Sequence, residues 1–154
     1  MSDTKQPWSG LSGRLETGEH ILPVRVYYED TDFSEIVYHA SYLRFMERGR
    51  SDLLNLCGIH HSKLDAGVTG ERLVFVVRHM DIDFLKSSHI DDILEVHTRC
   101  TEARGARTIL EQKVMRGDEV LITAKVMSAV INGDGKPRRL PAELAVRLGI
   151  VKNR

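Results

Sequence analysis

The chain has 154 residues with 22 basic and 22 acidic side chains, so its formal charge is zero. That length suits one domain with its own hydrophobic core, and the balanced charge excludes a general attraction to nucleic acid or to an anionic membrane surface. Two cysteines, Cys57 and Cys100, make neither a disulfide framework nor a zinc signature. No run is long enough to span a membrane and the first residues lack the apolar stretch of a secretion signal, so the expected compartment is the cytoplasm.

In chain order, residues 1–20 are polar and predict a mobile tail, which leaves 21–154 as a single domain. Val24, Val26 and Tyr28 alternate with Arg25, Tyr27 and Glu29, the period of a strand, and Pro23 suits its first residue. An acidic stretch holding Asp30, Asp32 and Glu35 follows. Then Tyr42, Phe45, Met46, Gly49, Leu53, Leu56 and Cys57 recur at helical spacing, widened by Leu43 and Leu54. Ser41 is the expected N-cap and Gly58 the expected stop. Gly49 is expected to admit another backbone, and Arg48 and Asp52, four apart, to form a solvated pair. His60 and His61 stand near Cys57, but a cysteine on an apolar stripe reads as a small buried hydrophobe.

Beyond the helix the signals are β. Residues 73–85 form a long strand, 94–101 alternate, 107–115 form another strand and 120–131 are rich in β-branched residues. Arg104-Gly105 and Gly117-Asp118 read as hairpin turns, the second of type II′, and Pro141 opens a short helix. One wide-striped helix beside one antiparallel sheet predicts an α+β domain with the sheet curled around the helix.

A carboxylate just after a strand, with His39 at the start of the helix, places an acid or base beside unpaired helix N–H groups. This segment also carries a resemblance. Arg25-Val26-Tyr27-Tyr28-Glu29-Asp30-Thr31-Asp32, Ile36-Val37-Tyr38-His39-Ala40-Ser41-Tyr42 and Phe45-Met46-Glu47-Arg48-Gly49-Arg50 resemble the YbgC-type acyl-CoA thioesterases of the hotdog superfamily, relatives of 4-hydroxybenzoyl-CoA thioesterase. Asp91-Asp92-Ile93-Leu94-Glu95-Val96 and Lys136-Pro137-Arg138-Arg139-Leu140-Pro141 continue the likeness, and the branch it points to accompanies the Tol–Pal envelope system.

The resemblance implies a hotdog fold, a homodimer or homotetramer, no metal or cofactor, and hydrolysis of thioesters of CoA or acyl carrier protein. It assigns the catalytic carboxylate to Asp32, adds Tyr28 and His39 to the active site, and gives the backbone N–H at position 39 the task of polarising the carbonyl. Two departures stand out: Glu35 where the family has Gly, and Ser87-Ser88-His89 where it more often has Pro-Ala. A glycine there points to a positive φ or a tight fit, so Glu35 brings strain and a second negative charge three residues from Asp32.

Thioester hydrolysis needs an activated water or a carboxylate nucleophile, and stabilisation of the oxyanion. The bland reading of Asp30 and Asp32 is capping of a turn; with the motif, catalysis falls to Asp32 and capping or ion pairing to Asp30. Glu47 reads as the partner of Arg50 before it reads as a second acid. Because CoA carries three phosphates, a basic rim is expected from Arg78, Lys86, Arg99, Arg104 and Arg107. The competing readings are a hotdog hydratase, whose Asp–His pattern is not found on the helix, and a non-catalytic acyl-CoA-binding or envelope-associated scaffold.

Overall fold

The computed structural model describes residues 10–57 and 72–148. Strands β1 (Arg14–Glu16) and β2 (Glu19–Arg25) precede a 3₁₀ turn at Tyr28–Asp30 and helix α1 (His39–Leu56). Strands β3 (Leu73–Phe84), β4 (Ile93–Arg104), β5 (Arg107–Arg116) and β6 (Glu119–Asn132) follow, then helix α2 (Ala142–Arg147). The strands form one antiparallel sheet in the order β1-β2-β4-β5-β6-β3. This is the curled sheet around one long helix expected from the sequence.

The helix sits in the sheet because its stripe is apolar on a wide arc. Phe45 and Met46 are fully enclosed, as are Leu94, Val96, Val114 and Val126 on the facing strands. Each such side chain contributes roughly 1.5–3 kcal/mol by leaving water. Gly49 brings α1 close to β4: a Cβ there would lie 2.8 Å from Val96 Cγ1 and 3.1 Å from Thr98 Oγ1. The close neighbours are thus side chains, not the backbone anticipated. Beneath the helix, the Gln112 amide donates to the Met46 carbonyl (2.9 Å) and to Thr98 Oγ1 (2.9 Å), and its oxygen accepts from Arg50 (2.9 Å). Arg50 is therefore spent on Gln112 rather than on an ion pair with Glu47.

The hairpin glycines behave as read. Gly105 (φ 61°) and Gly117 (φ 58°) open two-residue turns between paired Arg104 and Arg107 and between paired Arg116 and Glu119. The residues after them, Ala106 and Asp118, have no positive φ, the sign pattern of a type II′ turn.

Several expectations are corrected. Strand β1 and the start of β2 lie within the segment read as a mobile tail, joined by a Thr17-Gly18 turn with both φ positive. His20 in that segment is fully buried and reaches Asp52 Oδ2 at 2.7 Å, an oxygen that also accepts the Gly13 N–H at 2.7 Å. Asp52 is therefore held by the N-terminal strands and not by Arg48, whose guanidinium lies 5.9 Å from the Phe45 ring centre. The first expected strand begins earlier and ends at Arg25, so Pro23 sits inside it, beyond the last residue paired with β1. Ser41 is not the N-cap; the helix begins at His39 with Tyr38 as its cap residue. Gly58, His60 and His61 lie outside the described residues. No described helix is long and apolar enough to cross a membrane.

Candidate active site

The chain between β2 and α1 folds back on itself as a small hairpin. The Tyr38 N–H donates to the Asp30 carbonyl (2.9 Å), the Asp32 N–H to Ile36 (2.9 Å) and the Glu35 N–H to Asp32 (3.0 Å). Thr31 and Val37 form a bridge between its arms. Glu35 closes the turn at φ 66°, in the left-handed region. A three-residue turn ending in that conformation favours glycine, which gives a physical reason for glycine in the resembling sequences and places strain on Glu35 here.

The two aspartates have different fates. Asp30 is 4 % exposed and its Oδ2 accepts the Tyr27 N–H at 2.9 Å. It closes the 3₁₀ turn, which is the capping role read for it. Asp32 is exposed; its Oδ1 accepts the Ser34 N–H at 2.7 Å, and its Oδ2 has no partner among the described residues. One oxygen thus orients the carboxylate while the other stays open for chemistry.

Helix α1 begins at the edge of this hairpin without a side-chain cap. The amide N–H groups of His39 and Ala40 find no acceptor among the described residues. Unpaired donors at a helix N-terminus carry a partial positive charge and form a ready site for a developing oxyanion. Asp32, His39, Ile36, Val37 and Tyr42 line one cleft of about 310 Å³ with Phe84, Leu85, Lys86 and Ser87. Its wall is aromatic: the His39 ring stands edge-on to Phe84 at 6.0 Å, and Tyr42 lies 6.3 Å from Phe84.

The wall contributed by the β3–β4 connection is fastened from behind. The Ser88 carbonyl accepts the Val37 N–H (2.9 Å), and its hydroxyl pairs with the Tyr42 hydroxyl (2.6 Å). Burial pushes the Tyr42 phenol above its usual range, although the Ser88 bond works against this. Asp92 accepts both the His89 N–H and Arg116 at 2.9 Å. Burial alone raises its carboxyl, but the His89 bond and the Arg116 guanidinium outweigh that and hold it below the usual carboxylate range.

Of the predicted site residues, the structure brings Asp32, His39 and Lys86 together. Tyr28 lies in the 3₁₀ turn, 83 % exposed, and does not line the cleft. Lys86 is paired with Glu119 at 3.3 Å. Arg78, Arg104 and Arg107 converge with His79 and Pro137 on a separate cleft of about 670 Å³. Arg78 is the extra residue of a bulge in β3. Arg107 lies 3.5 Å from Glu102, while Arg78 and Arg104 have no ion pair with a described residue. Arg99 stands apart, paired with Glu111 at 2.8 Å in a third cleft.

From the sequence, Tyr42 is readable only as part of the helix's apolar stripe and Phe84 only as part of the strand over 73–85, and neither is found as a cleft wall. The sequence carries no signal for the Ala40 N–H beyond its place in the first helical turn. Burial pushes the Cys57 thiol up and the Cys100 thiol up to about 12, so neither is a poised nucleophile. No cluster of metal-ligating side chains occurs among the described residues.

Comparison with known proteins shows the family and the fold. Residues 35–128 match the Thioesterase superfamily. The acyl-CoA thioesterase YbgC of Haemophilus influenzae is 40 % identical over 124 residues, covering 80 % of this chain and 89 % of the relative. The acyl-CoA thioester hydrolase YbgC of Escherichia coli O6:H1 is 38 % identical over 124 residues, 79 % of this chain and 90 % of the relative. The crystal structure of a probable thioesterase from Bartonella henselae superposes with a TM-score of 0.78 at 51 % identity, covering 80 % of this chain and 99 % of that one.

Proposed function

The chain belongs to the thioesterase superfamily and is an acyl-CoA thioesterase of the YbgC kind, and from that premise we propose that Asp32 activates the nucleophile while the N–H groups of His39 and Ala40 hold the oxyanion. The thioester carbonyl enters the cleft with its oxygen toward the helix start. Asp32 either takes a proton from a water aimed at the carbonyl carbon or attacks that carbon itself. The tetrahedral oxyanion collapses and the C–S bond breaks: on the water route Asp32 returns its proton to the sulfur, so CoA leaves as the thiol and the acid is released, whereas direct attack expels CoA as the thiolate and leaves the acyl group on Asp32 as a mixed anhydride. If Asp32 attacks, water then hydrolyses the mixed anhydride.

The observation that carries this reading is that Asp32, with one oxygen unpartnered among the described residues, lines one cleft with His39, whose N–H opens the helix without an acceptor. The His39 ring forms part of the aromatic wall, and its backbone carries the greater task. The Arg78, Arg104 and Arg107 cleft is proposed to take the CoA phosphates, because three guanidinium groups converge there. The two clefts share β3: Arg78 and Phe84 are six residues apart, about 20 Å along a strand, a span that suits an extended ligand. The same basic surface suits an acyl carrier protein, whose acyl group hangs on the same pantetheine arm.

The test is thiol release from a graded set of short, long and aromatic acyl-CoAs. Turnover with at least one of them is expected. Binding without thiol release would favour the scaffold reading, and addition of water across an enoyl-CoA double bond would favour the hydratase.

A further inference from the structure

Ser41, expected from the sequence to cap the helix, has another task. It lies in the first turn of α1 at 1 % exposure, and its hydroxyl donates to the Asp30 carbonyl at 3.0 Å. The same Oγ accepts from Arg44 Nη2 at 3.0 Å. The Asp30 carbonyl therefore receives two donors, the Tyr38 N–H (2.9 Å) and the Ser41 hydroxyl. The Asp30 side chain in turn ties the turn before it through Tyr27. Among the described residues, no other side-chain hydrogen bond joins the first turn of α1 to the hairpin that carries Asp32.

We infer that Ser41, acting on the Asp30 carbonyl, is a positioning residue that fixes the Asp32 carboxylate relative to the His39 and Ala40 N–H groups. The two halves of the proposed chemistry sit on different pieces of structure, a hairpin and a helix start. Asp32 is two residues past the clasped carbonyl, and the free N–H groups are one and two residues before Ser41. A buried hydrogen bond at that crossing sets their separation. Displacement of a reacting group by about 1 Å costs on the order of 100-fold in rate, so a small shift of the hairpin is felt at the chemical step.

The inference rests on Asp32 being the catalytic carboxylate, and the experiment separates the two claims. Thiol release is measured for wild type, Ser41→Ala, Ser41→Thr, Asp32→Asn and the Ser41→Ala/Asp32→Asn double variant, with the folded fraction of each fixed by circular dichroism. Ser41→Ala is expected to lower kcat about tenfold or more with KM within about twofold, and Ser41→Thr, which keeps the hydroxyl, to recover most of the loss. Combined with Asp32→Asn, Ser41→Ala is expected to cost little further, because the group it positions is gone. An unchanged kcat in folded Ser41→Ala, or full additivity of the two losses, overturns the positioning role and leaves Asp32 standing. An unchanged kcat in Asp32→Asn overturns the proposed chemistry itself. If Ser41→Ala is too unstable to assay, Ser41→Cys, which keeps nearly the same volume but donates only weakly, carries the same test: a fall in kcat with KM kept supports the role, and an unchanged kcat refutes it.

Discussion

Glu35 shows how much one backbone angle can carry. Its φ of 66° is costly for any residue with a Cβ, by about 1 kcal/mol, and its side chain is exposed with no hydrogen bond in the described structure to offset this. Replacement by glycine removes the strain, though it adds freedom to the unfolded chain. Glu35→Gly is expected to raise stability by about 0.5 kcal/mol, the strain of about 1 kcal/mol less the entropy that glycine adds to the unfolded chain, read as a higher urea midpoint at constant slope. Glu35→Gln removes the charge but keeps the Cβ, so its midpoint is expected to stay close to wild type. Equal gains in both variants would assign the effect to charge instead. The strain was readable from the sequence only as an oddity, a glutamate at a glycine position; the hairpin supplies its cause.

Between residue and fold stand the elements, and their legibility differed for physical reasons. Strands β4 to β6 and helix α1 were plain because each buries one face, so the apolar period matches the element, whereas β3, with only Leu73 buried, was read from its run of apolar residues. β1 was missed because all three of its residues are exposed, which leaves no period to read. Ser41 was misplaced because its partner is eleven residues back, across a hairpin that spacing alone does not reveal. The β3–β4 connection was legible as a loop but not as a buttress. Its anchor, Asp92, has its carboxyl depressed, so its contribution is present above the unfolded carboxylate value of about 3.9 and is lost as pH falls through the lower folded value. Asp92→Asn is therefore expected to cost about 1 kcal/mol at pH 7, and the gap from wild type to close as the pH drops from about 4 toward 3. Urea unfolding across that range checks it; a gap independent of pH would mean that the bond geometry, not the charge, holds the loop.

At the scale of the whole molecule, the sheet ends unequally. Among the described residues, one outer strand, β1, has three residues, and the other, β3, has twelve and pairs only with β6. A long free edge with Val77 and Phe84 about half exposed is a liability that pairing with a second copy removes. Both the Asp32 cleft and the arginine cleft lie against this strand, so a partner docked there would border both. Light scattering at micromolar concentration is expected to give a dimer or a multiple of it. A monomer would contradict the proposed assembly.

The account stands or falls on the Asp32 carboxylate, a residue that lines the same cleft as His39 at the helix start. The most direct measurement is kcat for thiol release by Asp32→Asn beside wild type on an acyl-CoA that the wild type turns over. The change is nearly isosteric, and the Asn side-chain oxygen can still accept the Ser34 N–H, so the hairpin is expected to persist. The predicted result is a fall of roughly 100-fold or more in a variant whose melting temperature is close to wild type. A folded Asp32→Asn variant with unchanged kcat would contradict the central claim.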